Sequence, residues 1–406
     1  MNSGGRSMHT SAFIQNELIN TFGHLIQSQI VRNVRKSIYY SVLADETTDI
    51  SQIKQFSLCV RYVEDQSYKI REDFPTCVPV YDVTGEGLAN TVLETLSILG
   101  LDLKKMRGQG YDGAATVRGQ FRGVQASIKE KPPLALYTHC SSHGLNLCLS
   151  NASNIPSIRN CMDVIKEVYR FFHMSAKRTE ILKSMISDCC PEQNKKKHIS
   201  LYLSQVIANV TSVLDLLSKQ RVNANDSFKT LYAQVKEIAA KLDIKEEIPR
   251  VCRLQTAHNN VPYSTEEEYY RRAVYVPYLD DFCNSLKERF ESHKETVASL
   301  EHILPEFCTK TDFYSLEAAF NFYEEDLSHK EVVQSEFRLW KEKWSQKNSE
   351  NLPKTAISSL EKCDKIFFPN IYILLKLLAV LPVSVVTVER SFSSLRRLKT
   401  YLRNTT

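Results

Sequence analysis

No stretch of this sequence approaches the roughly 18 consecutive apolar residues needed to cross a bilayer, so a membrane-spanning helix is not expected. The opening MNSGGRSMHTS lacks the apolar core of a secretory signal, which points to an intracellular protein. Paired C-x-x-C motifs are absent, and tryptophan occurs only twice, at Trp340 and Trp344. The G-x-G at 108–110 lacks the third glycine and the lysine–serine pair of phosphate-binding loops, so it is not one of them. A formal net charge of only +5 permits a nucleic-acid partner without demanding one.

At 406 residues the chain exceeds the roughly 250 to 300 over which a single core grows, so two or three lobes are expected. A hydrophobic content of 43% with 24% charged residues suits a globular protein. The 11 cysteines, an odd number scattered along the chain, read as reduced thiols, several of them buried. His139, Cys140 and His143, followed closely by Cys148, raise the question of zinc. Zinc is not expected, because SHGLNLCLS reads as a helix that buries Cys148 on its apolar face.

Apolar residues at helical intervals from Ile14 to Val31 predict an amphipathic helix over Phe13–Lys36 that packs on a following sheet. Strands are predicted over Tyr39–Ala44, Gln55–Val63 and Tyr68–Val80, the last interrupted by proline and therefore an edge. A helix over Glu86–Leu99, a strand over Lys105–Tyr111, a helix over Thr116–Lys129 and a strand over Ala135–Thr138 complete an α/β pattern, a mixed sheet flanked by helices. After Ser150 only helices are predicted, over Ile158–Ile186, Leu201–Lys219, Asp226–Leu242, Tyr278–His293 and Ser335–Lys347, with polar joins such as Lys195-Lys196-Lys197. Phe367–Leu381 is a helix apolar all round, hence buried on most sides, and another helix starts near Val385.

Three acids stand out. The strand in SVLADETTDI runs into Asp45, with Glu46 and Asp49 beside it, and the carboxyl edge of an open α/β sheet is where ligand-binding groups collect. A capping or turn aspartate is the alternative. Asp112 lies in GQGYDGAATVRGQF, whose glycines let the backbone turn out of a strand and leave room for a ligand. Glu389, in TVERSFSSLRRLKTYLR, borders a buried stripe of Val388, Phe392 and Leu395, where a charge must be neutralised by a shared site or by Arg390.

In their order along the chain, LADETTD, GQGYDGAA, HCSSHGLNL and FFPNIYILLKLLAVLPVSVVTVERSFSSLRRLKTYLR resemble the hAT superfamily of DNA transposases. The likeness is to transposon-derived members with zinc-finger MYM-type or THAP domains upstream. It implies a ribonuclease-H-like core interrupted by a large all-helical insertion. The implied division is a lead-in over 1–37, the first part of the core over 38–152, the insertion over 153–350, and the rest of the core with a truncated dimerisation region over 351–406.

The resemblance also implies an Asp-Asp-Glu triad of Asp45, Asp112 and Glu389 that binds Mg²⁺ or Mn²⁺ for DNA cleavage and joining. Such chemistry suits these residue types, because hard cations take oxygen ligands and in-line displacement at phosphorus uses one metal on each reacting oxygen. Cys140 and His143 match a Cys-x-x-His pattern that, by resemblance, supports the site or contacts DNA. Arg396, Arg397, Lys399 and Arg403 would suit phosphates, or form a solvated helix face.

Three departures accompany the likeness. These 406 residues hold no DNA-binding zinc finger and no Thr-Arg-Trp segment after the Cys-x-x-His region, and the dimerisation region is expected to be truncated at Thr406. The expectation is a nuclear, hAT-derived protein active in DNA binding or protein association, as a homodimer or with a related hAT-type protein, and not competent for transposition alone. The alternatives are an active metal-dependent transposase or nuclease, and a dimerising regulatory scaffold with vestigial acids.

Overall fold

The computed structural model describes residues 11–48, 54–111, 123–189, 203–246, 248, 263–291, 294–348, 352–388 and 390–392. They fall into two compact units, one of 1–143, 202–204 and 292–406, the other of 144–201 and 205–291.

The first unit is built on five strands, β1 (Tyr40–Thr48), β2 (Lys54–Val63), β3 (Ile70–Val80), β4 (Met106–Tyr111) and β5 (Leu136–His139). Their order is β3-β2-β1-β4-β5, an antiparallel meander followed by two strands parallel to β1. β3 is indeed an edge, the place where Pro75 and Pro79 disturb the fewest ladder bonds. Strand periodicity sends Tyr40, Val42 and Ala44 to one face and Ser41, Leu43 and Asp45 to the other.

The first face carries α1 (Ala12–Lys36), α2 (Gly85–Ile98) and α3 (Val124–Lys129). Thr84 caps α2 by accepting the Gly87 N–H at 3.1 Å. Val42, Ala44, Leu88, Val92, Leu96 and Ile128 form the dry interior between helices and sheet. Helix α1 departs from expectation: it buries only Val31 and Val34, while Leu18, Ile19, Phe22, Leu25 and Ile26 remain 42% to 61% exposed. Its first turns overhang the sheet, and a side chain on Gly23 would meet nothing within 4 Å.

Every regular element among the described residues from 141 to 380 is helical. α4 (Ser141–Ala152), α5 (Pro156–His173), α6 (Ala176–Cys189), α7 (Leu203–Val222), α8 (Ala224–Lys241), α9 (Glu266–Tyr270) and α10 (Val276–Phe290) come first. Cys148 lies on the buried face of α4, as its spacing predicts, beside Leu214, Phe282 and Leu286. The helix predicted over Ile158–Ile186 is two, α5 and α6. The break falls at Ser175, whose hydroxyl accepts the Arg178 N–H at 3.5 Å and opens the second helix. A π turn at Arg271–Tyr275 joins α9 to α10 just ahead of Pro277, which has no N–H for a regular turn.

α11 (Lys294–Glu301), α12 (Pro305–Cys308), α13 (Glu317–Phe322), α14 (Lys330–Ser345), α15 (Ala356–Leu360) and α16 (Pro369–Val380) belong to the first unit. Both tryptophans are core residues of α14, with Trp340 Nε1 donating to the Ile303 carbonyl at 2.8 Å. α16 is buried along its length, so the apolar stretch is covered within its own fold, except that Ile366 and Phe367 ahead of it are exposed. Glu336 of α14 caps α16, accepting from Asn370 Nδ2 and the Ile371 N–H, both at 2.7 Å. Lys376, fully buried in α16, donates to Asp65 at 3.2 Å, and burial lowers its pKa. No helix among the described residues is long and apolar enough to cross a membrane.

Burial pushes the thiols of Cys308 and Cys363 up to about 12, whereas Cys161 is exposed. Since the thiolate is the reacting form, Cys161 should be the first of these three alkylated by iodoacetamide near pH ~8, the buried pair reacting only in denaturant. Peptide mass spectrometry that found Cys308 or Cys363 modified at the same rate would contradict this packing.

Candidate active site

The carboxyl ends of β1 and β4 lie side by side. Ala44 pairs with Tyr111 across the parallel ladder, and Asp45 pairs with Ser57 across the antiparallel one. Asp45 is partly exposed, and its Oδ1 accepts the Glu46 N–H at 2.9 Å. Glu46 is turned to Lys54, 3.0 Å away. Asp112 and Glu389 lie outside the described residues, as do Asp49, Arg396, Arg397, Lys399 and Arg403. Their neighbours Tyr111, Val388 and Arg390 are described.

Tyr111 ends β4 with its ring in the core of the first face, whereas Val388 packs on the second. After α16 the chain crosses the second face, and Leu43, Cys59, Cys140, Val385 and Val388 form a buried cluster with Phe392 packed on it. Residues 386–388 and 390–392 are helical. Ser391 Oγ lies 3.2 Å from the hydroxyl of Ser57, the register partner of Asp45. Thr387 bonds to Glu72, which also takes Arg61 at 2.5 Å, and the same guanidinium donates to the Ala379 carbonyl at 3.1 Å. Leu43 and Asp45 share a face by alternation, so the face that carries Asp45 is the one this segment covers.

Gly110, expected to let the chain turn and to leave room for a ligand, has a different role that Gly108 shares, while Gly113 lies outside the described residues. Gly108 and Gly110 are buried inside β4, and the space above them is filled by Pro382, not left for a ligand. A Cβ on Gly108 would fall 2.8 Å from Pro382 Cδ, and one on Gly110 would fall 3.3 Å from Pro382 Cβ and 2.9 Å from Leu43 Cδ2. Close approach of two backbone segments is the reason for glycine here.

Cys140 and His143 sit at the β5–α4 junction. The Cys140 N–H donates to the Tyr111 carbonyl at 3.4 Å, its sulfur accepts the Val385 N–H at 3.5 Å, and the Ser141 N–H donates to the Val383 carbonyl at 3.1 Å. This junction therefore fastens the end of β4 to the crossing segment. His143 stands edge-on to His139, with 5.9 Å between ring centres, and His139 Nδ1 is 3.3 Å from the Tyr137 hydroxyl. Tyr137 stacks on Tyr111, whose phenol is raised well above its usual pKa, first by burial and then by Tyr137. Among the described residues no group of three His, Cys, Asp or Glu could hold a metal ion. The sequence reasoning missed the tie from Ser57 to Ser391, for which neither serine carries a signal.

A mixed sheet of this order, with an acid where its central strand emerges, defines an RNase-like core. Comparison with known families agrees: residues 1–123 match the ZMYM1/FAM200, RNase-like domain, and residues 331–406 match the hAT family C-terminal dimerisation region. The chain thus carries an RNase-like domain of the ZMYM1/FAM200 kind together with a hAT-family C-terminal dimerisation region. It is similar to the "52 kDa repressor of the inhibitor of the protein kinase" of Mus musculus, at 25% identity, and of Homo sapiens, at 26%. In both comparisons the similarity covers 96% of this chain and 63% of the relative, so the chain spans under two thirds of those proteins.

Proposed function

We propose that this hAT-derived chain works in the nucleus as a dimer that associates with DNA or with other proteins, and does not transpose DNA by itself. The observation that carries the reading is the match to the hAT dimerisation region over 331–406, with support from relatives named as a repressor. Gel retention of double-stranded DNA by the full chain tests it, alongside sedimentation. The expected result is a micromolar dimer whose DNA retention weakens steeply with salt, as phosphate contacts do, without strand joining in Mg²⁺ or Mn²⁺. A monomer that retains neither DNA nor a copy of itself refutes it.

A second reading, metal-dependent strand cleavage, is favoured by Ser391, two residues after Glu389, lying 3.2 Å from Ser57, the register partner of Asp45. Asp45, Asp112 and Glu389 would hold the ion, and their carboxylate oxygens suit Mg²⁺ or Mn²⁺. The buried Cys140 sulfur, already accepting the Val385 N–H, does not suit zinc. When bound, such ions would activate a nucleophile at phosphorus and stabilise the leaving oxygen. Calorimetric titration with Mn²⁺ separates the readings. A catalytic site loses at least about tenfold in affinity in Asp45→Asn, an inner-shell ligand lost, whereas a scaffold gives no saturable binding in either chain.

A further inference from the structure

We infer that the overhanging part of α1 is a two-fold interface, pairing antiparallel with α1 of a second copy of this chain. Leu18, Ile19, Phe22, Leu25 and Ile26 form one exposed stripe, ended by Gln15 and Gln29. At 100° per residue these seven positions fall within an arc of about 120°, on the other side of the helix from the buried Val31 and Val34. A contiguous row of large apolar side chains left in water on an ordered helix needs a partner.

The stripe itself says which partner. It is symmetric about Phe22, with apolar residues three and four positions before and after it and a glutamine seven positions before and after it. A two-fold interface requires that if residue i meets j, then j meets i, and antiparallel pairing centred on Phe22 satisfies this throughout. Phe22 meets its own counterpart, Leu18 meets the partner's Ile26, Ile19 meets the partner's Leu25, and Gln15 meets the partner's Gln29. Glu17 is the only formal charge between Ala12 and Val31, and it points away from the stripe. A copy of the helix therefore meets no like-charge repulsion, while an acidic or basic partner would find no counter-charge. Antiparallel helices also oppose their dipoles favourably. The inference stands apart from the dimerisation region at 331–406, which would raise the local concentration of a second α1 without specifying its register.

Cysteine cross-linking of the full chain under mild oxidation tests the register against the unsubstituted chain, whose native thiols give the background. Phe22→Cys should form a covalent dimer, and so should an equimolar mixture of Leu18→Cys with Ile26→Cys. Leu18→Cys alone should not, because its two copies stand about 12 Å apart along the axis, eight residues at ~1.5 Å each. Phe22→Glu should weaken dimerisation by at least about tenfold in sedimentation, since it buries a charge at the centre of the seam. All the substituted positions are at least 42% exposed, so the fold does not depend on them. Cross-linking of Leu18→Cys as strong as that of Phe22→Cys overturns the antiparallel register. Failure of Phe22→Cys to cross-link, or a Phe22→Glu dimer as tight as the parent, overturns the interface, and a dimer that persists in Phe22→Glu leaves the C-terminal dimerisation region as its source.

Discussion

Asp326→Ala should remove about 3 to 5 kcal/mol from the stability of the first unit, the usual consequence of leaving one member of a buried ion pair without the other. Arg107, inside β4, donates through Nε to Asp326 Oδ2 at 2.6 Å and through a second nitrogen to Oδ1, with side chains only 7% and 10% exposed. The same guanidinium donates to the Met106 carbonyl at 3.1 Å and lies 4.7 Å from the centre of the Tyr39 ring. Alanine would leave that cation buried with no counter-charge. Because folded domains are stable by only about 5 to 15 kcal/mol, the loss should be plain in urea. Both tryptophans lie in the first unit, so their fluorescence reports this transition and not that of the second unit. The double substitution Arg107→Met with Asp326→Leu should recover much of the loss, because apolar replacement of a whole buried pair is often neutral. A single Asp326→Ala chain with an unchanged midpoint would show that the pair contributes nothing.

Gly108→Ala should cost about 2 to 3 kcal/mol, the upper part of the range for overpacking. The added methyl would sit 2.4 Å from Ser41 Oγ and 2.8 Å from Pro382 Cδ. The serine hydroxyl can rotate away, but a proline ring cannot, so the crossing segment must lift. Gly110→Ala should be milder, since its tightest contact at 2.9 Å is the flexible end of Leu43. Lifting the segment also pulls Ser391 from Ser57, and Gly108→Ala should therefore reduce any Mn²⁺ binding that Asp45→Asn weakens. The ordering, Gly108 worse than Gly110, is the part to check by urea midpoints. Equal effects would place the crossing segment elsewhere.

Much of this architecture is legible in the residues because it depends on local pattern. The β-branched and aromatic run ahead of Asp45, the prolines of β3 and the mostly apolar α16 each announce their setting. Features made by distant pieces are not. Gly110 looks like a turn glycine until Pro382 is found above it, and Lys376 looks like a stray charge until Asp65 reaches it. α11, α12 and α13 are 8, 4 and 6 residues long, too short for helical periodicity to appear, and they are held by packing. Helix α1 misleads in the opposite direction, since its spacing fixes an amphipathic helix but not which body covers the stripe. At the candidate site, the strand end at Asp45 is visible in the sequence, whereas the approach of the 386–392 turn rests on contacts such as Ser57 with Ser391, more than three hundred residues apart.

The bond from Val385 to the Cys140 sulfur spans 245 residues, and it has a cost in time. A ribosome adding about 5 to 20 residues per second needs roughly 12 to 50 s to deliver the covering segment after β5 has emerged. Throughout that interval the growing polypeptide carries a sheet with Leu43, Cys59 and Arg61 bare on one side, long enough for chaperones or neighbouring nascent chains to find it. A transcript stopped anywhere between codons 140 and 385 yields not a smaller version of the protein but a half-clothed sheet, a substrate for degradation.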